Sequence, residues 1–382
     1  MAIEFRRSWS DEGLDLYRVN VVRFIETEML PHDEEARKRG HVGHELWLKA
    51  GELGLLCADI PEEYGGGGGD FRHEAVFYEE MARRGLTGMN TSVHTIVAHY
   101  FLNHGTKEQR LSFLPRMAKG ELIGAIAMTE PGTGSDLQGI HTRADKCGEV
   151  YRLSGSKTFI SNGFLAGVIL VVAKTDSHRG AKGTSILIVE TLDCAGFRVG
   201  RLLDKIGLKA QDTSELFFEA VNVPTNRILG EVEGLGFSQL MSDLPYERTI
   251  IGLIALATME GAYQVTLDYV RERRAFGQAI ADFQNTKFKL AEIATQIKVG
   301  RAFLDRCVED LIAGRLDAAT ASMAKLWGSE TQGRVLDECL QLFGGYGYMN
   351  EYLIARMYAD ARIQRIYGGT NEIMKEVISR AM

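Results

Sequence analysis

Proline and cysteine are both scarce in this chain of 382 residues, which contains six prolines and five cysteines. No proline follows Pro245, so the C-terminal part is free to form long helices, because an interior proline costs a helix about 3 kcal/mol. The cysteines are scattered and never form a C-x-x-C pair, which argues against a disulfide framework and against a zinc site. We therefore predict a protein of the reducing cytoplasm that has no metal site.

Net positive charge and long apolar runs are also missing. The formal net charge is -7, whereas a nucleic-acid binder needs dense patches of Lys and Arg, so we expect no nucleic-acid partner. No uninterrupted run of about 18 apolar residues occurs, and we predict no membrane span and no signal peptide. The chain does contain 45% hydrophobic residues, enough for a large core in two or three domains.

Several nucleotide-binding and hydrolase motifs are incomplete or absent. Gly132-Thr133-Gly134 and Gly345-Tyr346-Gly347 each lack the third glycine of the dinucleotide-binding fingerprint. The Walker A order, the H-E-x-x-H zinc motif and the G-x-S-x-G nucleophile elbow do not occur. These absences exclude a Rossmann dehydrogenase, a P-loop NTPase, a zinc protease of that type and an α/β-hydrolase.

The hydrophobic pattern divides the chain into helical, strand-rich and helical parts. Helical spacing is clear over 15–29, where Pro31 ends the run, and 106–109 forms a capping box. From about residue 121 to about residue 226 short β-rich runs alternate with turns, and helices are predicted at 249–265, 283–312, 318–342 and 353–362. We predict an α+β fold with an N-terminal α-helical domain (1–120), a middle β domain (121–230) and a C-terminal α-helical bundle (231–382).

Three glycine-bearing segments remain as candidates for binding a ligand. Segment 127–136 follows a strand and offers backbone N–H groups and hydroxyls with little bulk, which suits the polar edge of a flat ring, although a tight β-turn explains it equally well. In 155–163, strand alternation puts Phe159 and Ser161 on one face, either for stacking beside a ring or as an ordinary sheet aromatic. Gly344-Gly345 either ends a helix or lets the backbone approach a nucleotide closely.

Taken together and in order, four motifs resemble the acyl-CoA dehydrogenase family over essentially the whole chain. They are Met-Thr-Glu-Pro at 128–131, Gly-Ser-Lys at 155–157, Arg-Glu-Arg-Arg-Ala-Phe-Gly at 271–277 and Tyr-Gly-Gly-Thr-Asn-Glu at 367–372. The resemblance implies the three-domain acyl-CoA dehydrogenase fold with a four-helix bundle at its end, an FAD cofactor and a homotetramer built as a dimer of dimers. The ending Ile-Tyr-Gly-Gly-Thr-Asn-Glu-Ile at 366–373 resembles the long-chain branch more than the isovaleryl branch.

The resemblance also implies a set of FAD contacts. The residues assigned to one FAD are divided between two subunits. Arg273 is suited to binding the phosphates of the ADP half, because a guanidinium binds phosphate bidentately. The alternative for Arg273 is a solvated charge on a helix. Around the isoalloxazine we expect Ile126, Met128, Thr129, Gly134, Ser135, Phe159, Ile160 and Ser161, with Thr370, Asn371 and Glu372 at the flavin and its diphosphate. For the ADP half of a neighbouring subunit's FAD we expect Arg273, Phe276, Gln284, Gln341, Gly344 and Gly345.

The catalytic base is where this chain departs from many members of the family. Many members carry a glutamate directly after the Ile-Tyr of the last motif, where this chain has Gly368, which cannot abstract a proton. The long-chain and isovaleryl branches place the base on an earlier helix, and in the matching segment 243–248 that position is Glu247. A helix first-turn glutamate favoured by the macrodipole is the alternative for Glu247. Gly368 keeps a role through its backbone N–H, which would donate to the enolate oxygen.

The reaction that the resemblance implies is α,β-dehydrogenation of an acyl-CoA thioester to the trans-2-enoyl-CoA. Glu247 would remove the α-proton while the β-hydride passes to flavin N5, as in fatty acid β-oxidation. An electron-transferring flavoprotein is the expected acceptor; an oxygen-using oxidase, a dehydrogenase of carrier-protein-bound acyl groups and a flavin-free scaffold are the alternatives. Arg248 is expected to anchor CoA, whereas Lys182 is also explained as a solvated loop charge. The expected substrate contacts are Ser135, Ala181, Lys182, Ser238, Pro245, Tyr246, Arg248, Gly368 and Gly369.

Overall fold

The computed structural model describes residues 4–382, and the first part of the chain is helical. The capping box predicted at 106–109 is confirmed, because Thr106 and Gln109 satisfy each other's backbone N–H groups. The prediction that Pro31 ends the first helix was wrong, because a π-helical turn and the 3-10 turn Leu30–His32 carry the path onward, and a proline in a first helical turn loses no hydrogen bond. The helices are α1 (Glu12–Phe24), α2 (Asp33–Arg39), α3 (His44–Glu52), α4 (Phe71–Arg83), α5 (Thr91–His104) and α6 (Lys107–Ala118).

A seven-stranded sheet occupies the middle of the chain. The strand order is β1-β4-β2-β3-β7-β6 with β5 beside β4, and the β1–β4 pair is parallel whereas β4–β5 and β3–β7 are antiparallel. Every residue of β4 is buried, so its Val and Ile side chains pack on both faces of the sheet. The strands are β1 (Gly124–Ala127), β2 (Arg143–Cys147), β3 (Val150–Ser161), β4 (Val168–Lys174), β5 (Thr184–Glu190), β6 (Phe197–Leu202) and β7 (Thr213–Pro224).

Helices return after the sheet and form a bundle around the longest of them. The helix predicted at 249–265 begins at Gly236 and ends at Glu272, so it passes through Pro245. Its extensive burial compensates for the missing N–H of that proline, and the Thr249 hydroxyl donates to the Pro245 carbonyl at 2.7 Å. The elements are α7 (Gly236–Glu272), β8 (Arg274–Ala275), β9 (Gln278–Ala279), α8 (Gln284–Ile312), α9 (Ala318–Phe343), α10 (Leu353–Ala361) and α11 (Asn371–Ser379).

Helix α7 is the central helix of the fold. Its length and composition alone would let it cross a membrane, with a mean hydropathy of 1.4 over 18 residues, but 78% of that window is buried inside the protein. It packs against α4 and α5 of the first part and against α8 and α9 of the bundle. The α+β fold class is confirmed, and the chain changes from helix to sheet between Ala118 and Gly124 and back between Pro224 and Gly236. The residues at which we divide the domains stay a prediction.

Buried charges join α4, α7 and α8. The Arg301 side chain on α8 is 3% exposed and donates to Glu79 on α4 at 2.6 Å and to Glu260 on α7 at 2.6 Å. Arg7 and Arg83 also pair with Glu79. Burial alone would raise the pKa of Glu79, but the guanidinium groups of Arg301, Arg7 and Arg83 hold it well below its ordinary value. These ion pairs connect α4 of the first helical part to α7 and α8 of the bundle.

Candidate active site

Glu247 lies in the interior of α7, about three turns from its start, and not in a first helical turn. The favourable helix dipole at a first turn therefore does not account for this glutamate. Its side chain is 9% exposed, and the hydroxyl of Tyr100 on α5 donates to its Oε1 at 3.0 Å. A carboxylate that is buried and accepts a single hydrogen bond has the surroundings of a general base.

Burial sets the proton affinity of Glu247. Loss of hydration raises its pKa to about 7, the Tyr100 hydrogen bond opposes that rise, and the nearby charges of Asp243 and Arg248 act in opposite directions. A carboxyl group with a pKa close to neutrality accepts a proton far better than an exposed glutamate and is still substantially ionised at pH 7.

Gly368 faces the same side of α7 as Glu247. Its backbone φ is +62°, and that of Gly369 is +88°, conformations that side chains rarely adopt. A Cβ atom built on Gly368 would lie 2.4 Å from Cδ1 of Ile251, which is one helical turn after Glu247. The structure therefore brings the two predicted catalytic residues to one place, 121 positions apart in sequence (368 − 247).

A buried lysine, which the sequence analysis missed, holds the turn that contains Gly368. Lys325 on α9 donates to the Gly369 carbonyl at 2.7 Å and to Asn371 Oδ1 at 2.7 Å. Burial, reinforced by the charge of Arg248, lowers the pKa of Lys325 to about 8, so it remains mainly protonated at pH 7. The Asn371 side chain also bonds to Ser329 and Glu330, so only its backbone is free for the predicted cofactor contact.

A second buried lysine joins the first two motifs. Lys157 on β3 donates to the Met128 carbonyl at 2.8 Å and to Glu130 Oε1 at 2.9 Å. The Thr158 N–H donates to the Thr129 carbonyl at 2.9 Å, so the segment after β1 is fixed against the end of β3. Glu130 also accepts the backbone N–H groups at 141 and 142. Lys157 and Glu130 each belong to one of the family motifs, but only the structure shows that they pair.

The end of β3 differs from the predicted alternation. Phe159 has a φ of +60° and sits in a bulge, so it breaks the regular pleat; its side chain is 67% exposed. Ser161 is half-buried, and its hydroxyl accepts from Gln211 at 3.1 Å. Ile160 is 2% exposed and packs in the core of the sheet, so only its backbone can meet a cofactor. Ile126 packs on the neighbouring core, and the turn with Gly134 and Ser135 is exposed.

A separate surface depression of about 490 Å³ collects most of the residues predicted for the ADP half of FAD. Arg273, Gln341, Gly344 and Gly345 line it, and the Arg273 guanidinium lies over the Tyr346 ring at 5.5 Å. Phe276 is not part of this lining; it lies at the tip of the β8–β9 hairpin and is 96% exposed. Gln284 begins α8, is exposed and also lies outside the lining.

The predicted substrate contacts fall into an outer group and a buried group. Ala181 and Lys182 form a 3-10 turn whose backbone closely approaches Gly234, just before α7, and Ser238 is exposed on the first turn of that helix. Pro245 is half-buried.

Tyr246 is 9% exposed, and its hydroxyl donates to Asp59 Oδ2 at 2.9 Å, so this side chain is directed into the first helical part. The hydroxyl is therefore already committed to a buried carboxylate, and the substrate contact of Tyr246 stays a prediction.

Arg248 is 3% exposed, and its Nη1 donates to the Ser322 hydroxyl at 2.9 Å. It is thus a buried cation between Glu247 and α9 and not an exposed anchor, although its Nε has no partner in the described part of the chain.

Three family models cover nearly the whole chain in the order of its three parts. The N-terminal domain model of acyl-CoA dehydrogenase matches residues 11–121, the middle domain model matches 125–221 and the C-terminal domain model matches 234–382. The chain belongs to the acyl-CoA dehydrogenase family.

Individual members of the family agree with this assignment. The chain is 50% identical to the mouse (Mus musculus) long-chain specific acyl-CoA dehydrogenase, mitochondrial, over 381 residues, which cover 99% of this chain and 88% of that protein. The crystal structure of an acyl-CoA dehydrogenase from Geobacillus kaustophilus superimposes with a TM-score of 0.94 at 44% identity, covering 98% and 99% of the two chains. A glutaryl-CoA dehydrogenase from Mycobacterium smegmatis in complex with FADH2 gives 0.90 at 28% identity, covering 97% and 95%.

The residues of this acyl-CoA dehydrogenase fit the flavin nucleotide of the family. Gly132 and Gly134, and likewise Gly344 and Gly345, have open space where a Cβ would be, so a large ligand can approach the backbone at both places. Thr370 caps α11 and leaves the N-terminus of this nine-residue helix beside the Gly368-Gly369 turn, which suits a phosphate group. Arg273 supplies the cation in the surface depression.

Proposed function

We propose that this chain is an FAD-dependent acyl-CoA dehydrogenase that converts an acyl-CoA into the trans-2-enoyl-CoA with Glu247 as its base. The observation that carries the proposal is the position of Glu247, which is buried, has a pKa near 7 and lies one turn from the residue that faces Gly368. FAD supplies the hydride acceptor when bound. Membership of the family and the fit of the flavin residues support this reaction class.

The protein side chains divide the work of the reaction. Glu247 removes the α-proton, and its burial makes it a stronger base than a glutamate in water. The Gly368 N–H donates to the thioester oxygen as charge develops there, and Lys325 keeps that turn in place through the Gly369 carbonyl. Exclusion of water around Glu247 strengthens these interactions.

The substrate in this proposal is a long straight-chain acyl-CoA, and the pathway is fatty acid β-oxidation. Its support is the 50% identity with the mouse long-chain enzyme. The electron acceptor is an electron-transferring flavoprotein, and the compartment is the cytoplasm, in keeping with five free cysteines. The substrate and the electron acceptor can each be tested independently of the reaction class.

A panel of straight and branched acyl-CoAs with an artificial electron acceptor tests the reaction and its specificity. We expect long straight chains to give the highest kcat/KM, and an electron-transferring flavoprotein to replace the artificial acceptor. Rapid turnover with dioxygen alone would indicate an oxidase instead. Activity with carrier-protein-bound acyl groups but not with free acyl-CoA would overturn the choice of substrate.

Moving the base to position 368 should restore part of the activity that loss of Glu247 removes. In Glu247→Gln/Gly368→Glu we expect weak turnover, because a side chain at 368 points toward Ile251, one turn of α7 after position 247. The positive φ of Gly368 and the contact with Ile251 cost on the order of 1–3 kcal/mol. Adding Ile251→Ala should increase the rescue by making room. Complete inactivity of both combinations, with flavin and substrate bound, would contradict this geometry.

Arg273→Ala should weaken FAD binding by about 10-fold or more, because a charge-assisted hydrogen bond contributes about 1.5–3 kcal/mol. If the surface depression binds the ADP half of a neighbour's FAD in a homotetramer, FAD should also stabilise the oligomer against dilution. FAD titration and sedimentation of the apo- and holo-proteins measure both effects. Arg271→Ala, which removes an exposed cation from the last turn of α7, is the matched control. A monomer that retains FAD tightly would refute the shared site.

A further inference from the structure

Helix α5 is hydrogen-bonded to the part of α7 that surrounds Glu247. Tyr100 donates to Glu247 Oε1 at 3.0 Å, while Asn103 and His104 contact the two oxygens of Asp243 at 2.6 Å and 2.7 Å. Asp243 is one helical turn before Glu247. Three consecutive contacts between the same two helices therefore fix both the axial position and the rotation of α7 at its buried carboxylate.

A second set of contacts fixes the residue just before Glu247. Tyr246 donates to Asp59 Oδ2 at 2.9 Å, and His99 Nε2 lies 2.8 Å from the same oxygen. The rings of His99 and Tyr246 are 4.1 Å apart. Because Tyr246 and Glu247 adjoin in sequence, this pairing turns the Tyr246 side chain toward α5 and α4 and leaves Glu247 to face Tyr100.

The Glu247 carboxylate is held through one oxygen only. Tyr100 is fully buried and occupies Oε1, whereas no donor in residues 4–382 reaches Oε2. A carboxylate tethered in this way keeps one oxygen for proton abstraction and loses the rotational freedom that would otherwise slow it.

We propose that Tyr100 is a positioning residue, whose hydroxyl fixes one oxygen of Glu247 and directs the other toward the substrate. The inference rests on the proposed function, since it assigns a role in the same proton transfer. It adds a residue on a different helix to a site that the sequence describes only through α7 and the C-terminal turn.

The same hydrogen bond influences when Glu247 is ionised. A phenol donates to the ionised carboxylate, so it opposes the rise in the pKa of Glu247 that burial causes. The other groups that face this carboxylate are Asp243, Arg248 and, through Arg248, Lys325 on α9, while His104 pairs with Asp243 on the α5 side. None of these other groups hydrogen-bonds Glu247 among the described residues.

Tyr100→Phe keeps the ring and removes the hydroxyl, so the fold should be retained. We expect the acid limb of the kcat profile to move upward by about one pH unit, because the carboxylate loses a charge-assisted hydrogen bond. At pH 7 this shift alone leaves about fivefold less ionised base, and imperfect orientation lowers kcat further. KM should change less than kcat, because Tyr100 contacts the base and is not among the predicted CoA contacts.

A direct readout does not depend on turnover. Difference infrared spectroscopy of the FAD-loaded protein, with Glu247→Gln used to assign the band, reports the protonation of Glu247 as the pH is changed. The band should titrate about one pH unit higher in Tyr100→Phe than in the wild type. Tyr263→Phe removes a hydroxyl from α7 itself, far along the helix, and should leave the titration unchanged.

Asn103→Ala distinguishes positioning of the Glu247 carboxylate from general stabilisation of the α5–α7 contact. It removes a contact between α5 and α7 without touching Glu247, so it should not raise the titration of the carboxyl. Equal upward shifts in Asn103→Ala and Tyr100→Phe, or no shift in Tyr100→Phe, would overturn the role of Tyr100. A wild-type protein that binds acyl-CoA but never dehydrogenates it would instead refute the proposed function, whatever the infrared titration shows.

Discussion

Glu247→Gln is expected to lower the rate of acyl-CoA dehydrogenation by about 10²- to 10⁴-fold, the usual contribution of a positioned general base. Glutamine has the size of glutamate, and its side-chain oxygen can still accept the Tyr100 hydrogen bond. Packing around α7 should therefore remain, and both FAD and acyl-CoA should still bind. Only the ability to take up the α-proton is lost.

The rate of flavin reduction after mixing with acyl-CoA measures this step directly. Asp268→Asn, which neutralises an exposed carboxylate on the same helix, is the matched control and should retain the wild-type rate. Wild-type activity should rise with pH through about 7, because Glu247 acts only when ionised. If flavin-loaded Glu247→Gln keeps more than a few per cent of the rate, another group is the base.

The sequence predicted the fold class because helical spacing and short β-rich runs are local patterns that a single sequence shows. The roles of Glu247 and Gly368, in contrast, were predicted only through the family resemblance of the motifs around them. The start of α7 was missed because proline disfavours a helix locally, whereas the burial of most of this helix offsets the cost of Pro245.

The groups that support the site escaped prediction because they are distant in sequence. Tyr100 and Glu247 are separated by 147 positions, and Lys325 and Gly369 by 44. A lone tyrosine or lysine in a helical pattern carries no sign of the partner that it meets after folding. The partners of Tyr246 and Arg248 were not foreseen for the same reason, since Asp59 and Ser322 lie on other elements.

The buried charge cluster makes Arg301 a strong determinant of stability. Arg301 contacts Glu79, Glu260 and Asp305 with almost no exposure to solvent. Removing it leaves carboxylates buried with fewer partners, which is more costly than losing an exposed ion pair. Arg301→Met keeps much of the side-chain volume, so the loss measured is chiefly electrostatic.

We expect Arg301→Met to destabilise the protein by about 3–5 kcal/mol, measured as the shift of the denaturation midpoint at fixed protein and FAD concentrations. Arg306→Met, on the same helix and paired with Asp310 at the surface, should cost less than about 1 kcal/mol.

The stabilising effect of the cluster should depend on pH. The pKa of Glu79 is depressed in the folded protein, so its contribution to the free energy of unfolding is present above its unfolded pKa and is lost as the pH falls through its folded pKa. The difference between wild type and Arg301→Met should therefore narrow below about pH 4. Equal midpoints for Arg301→Met and Arg306→Met would show that the cluster does not lock the helical parts together.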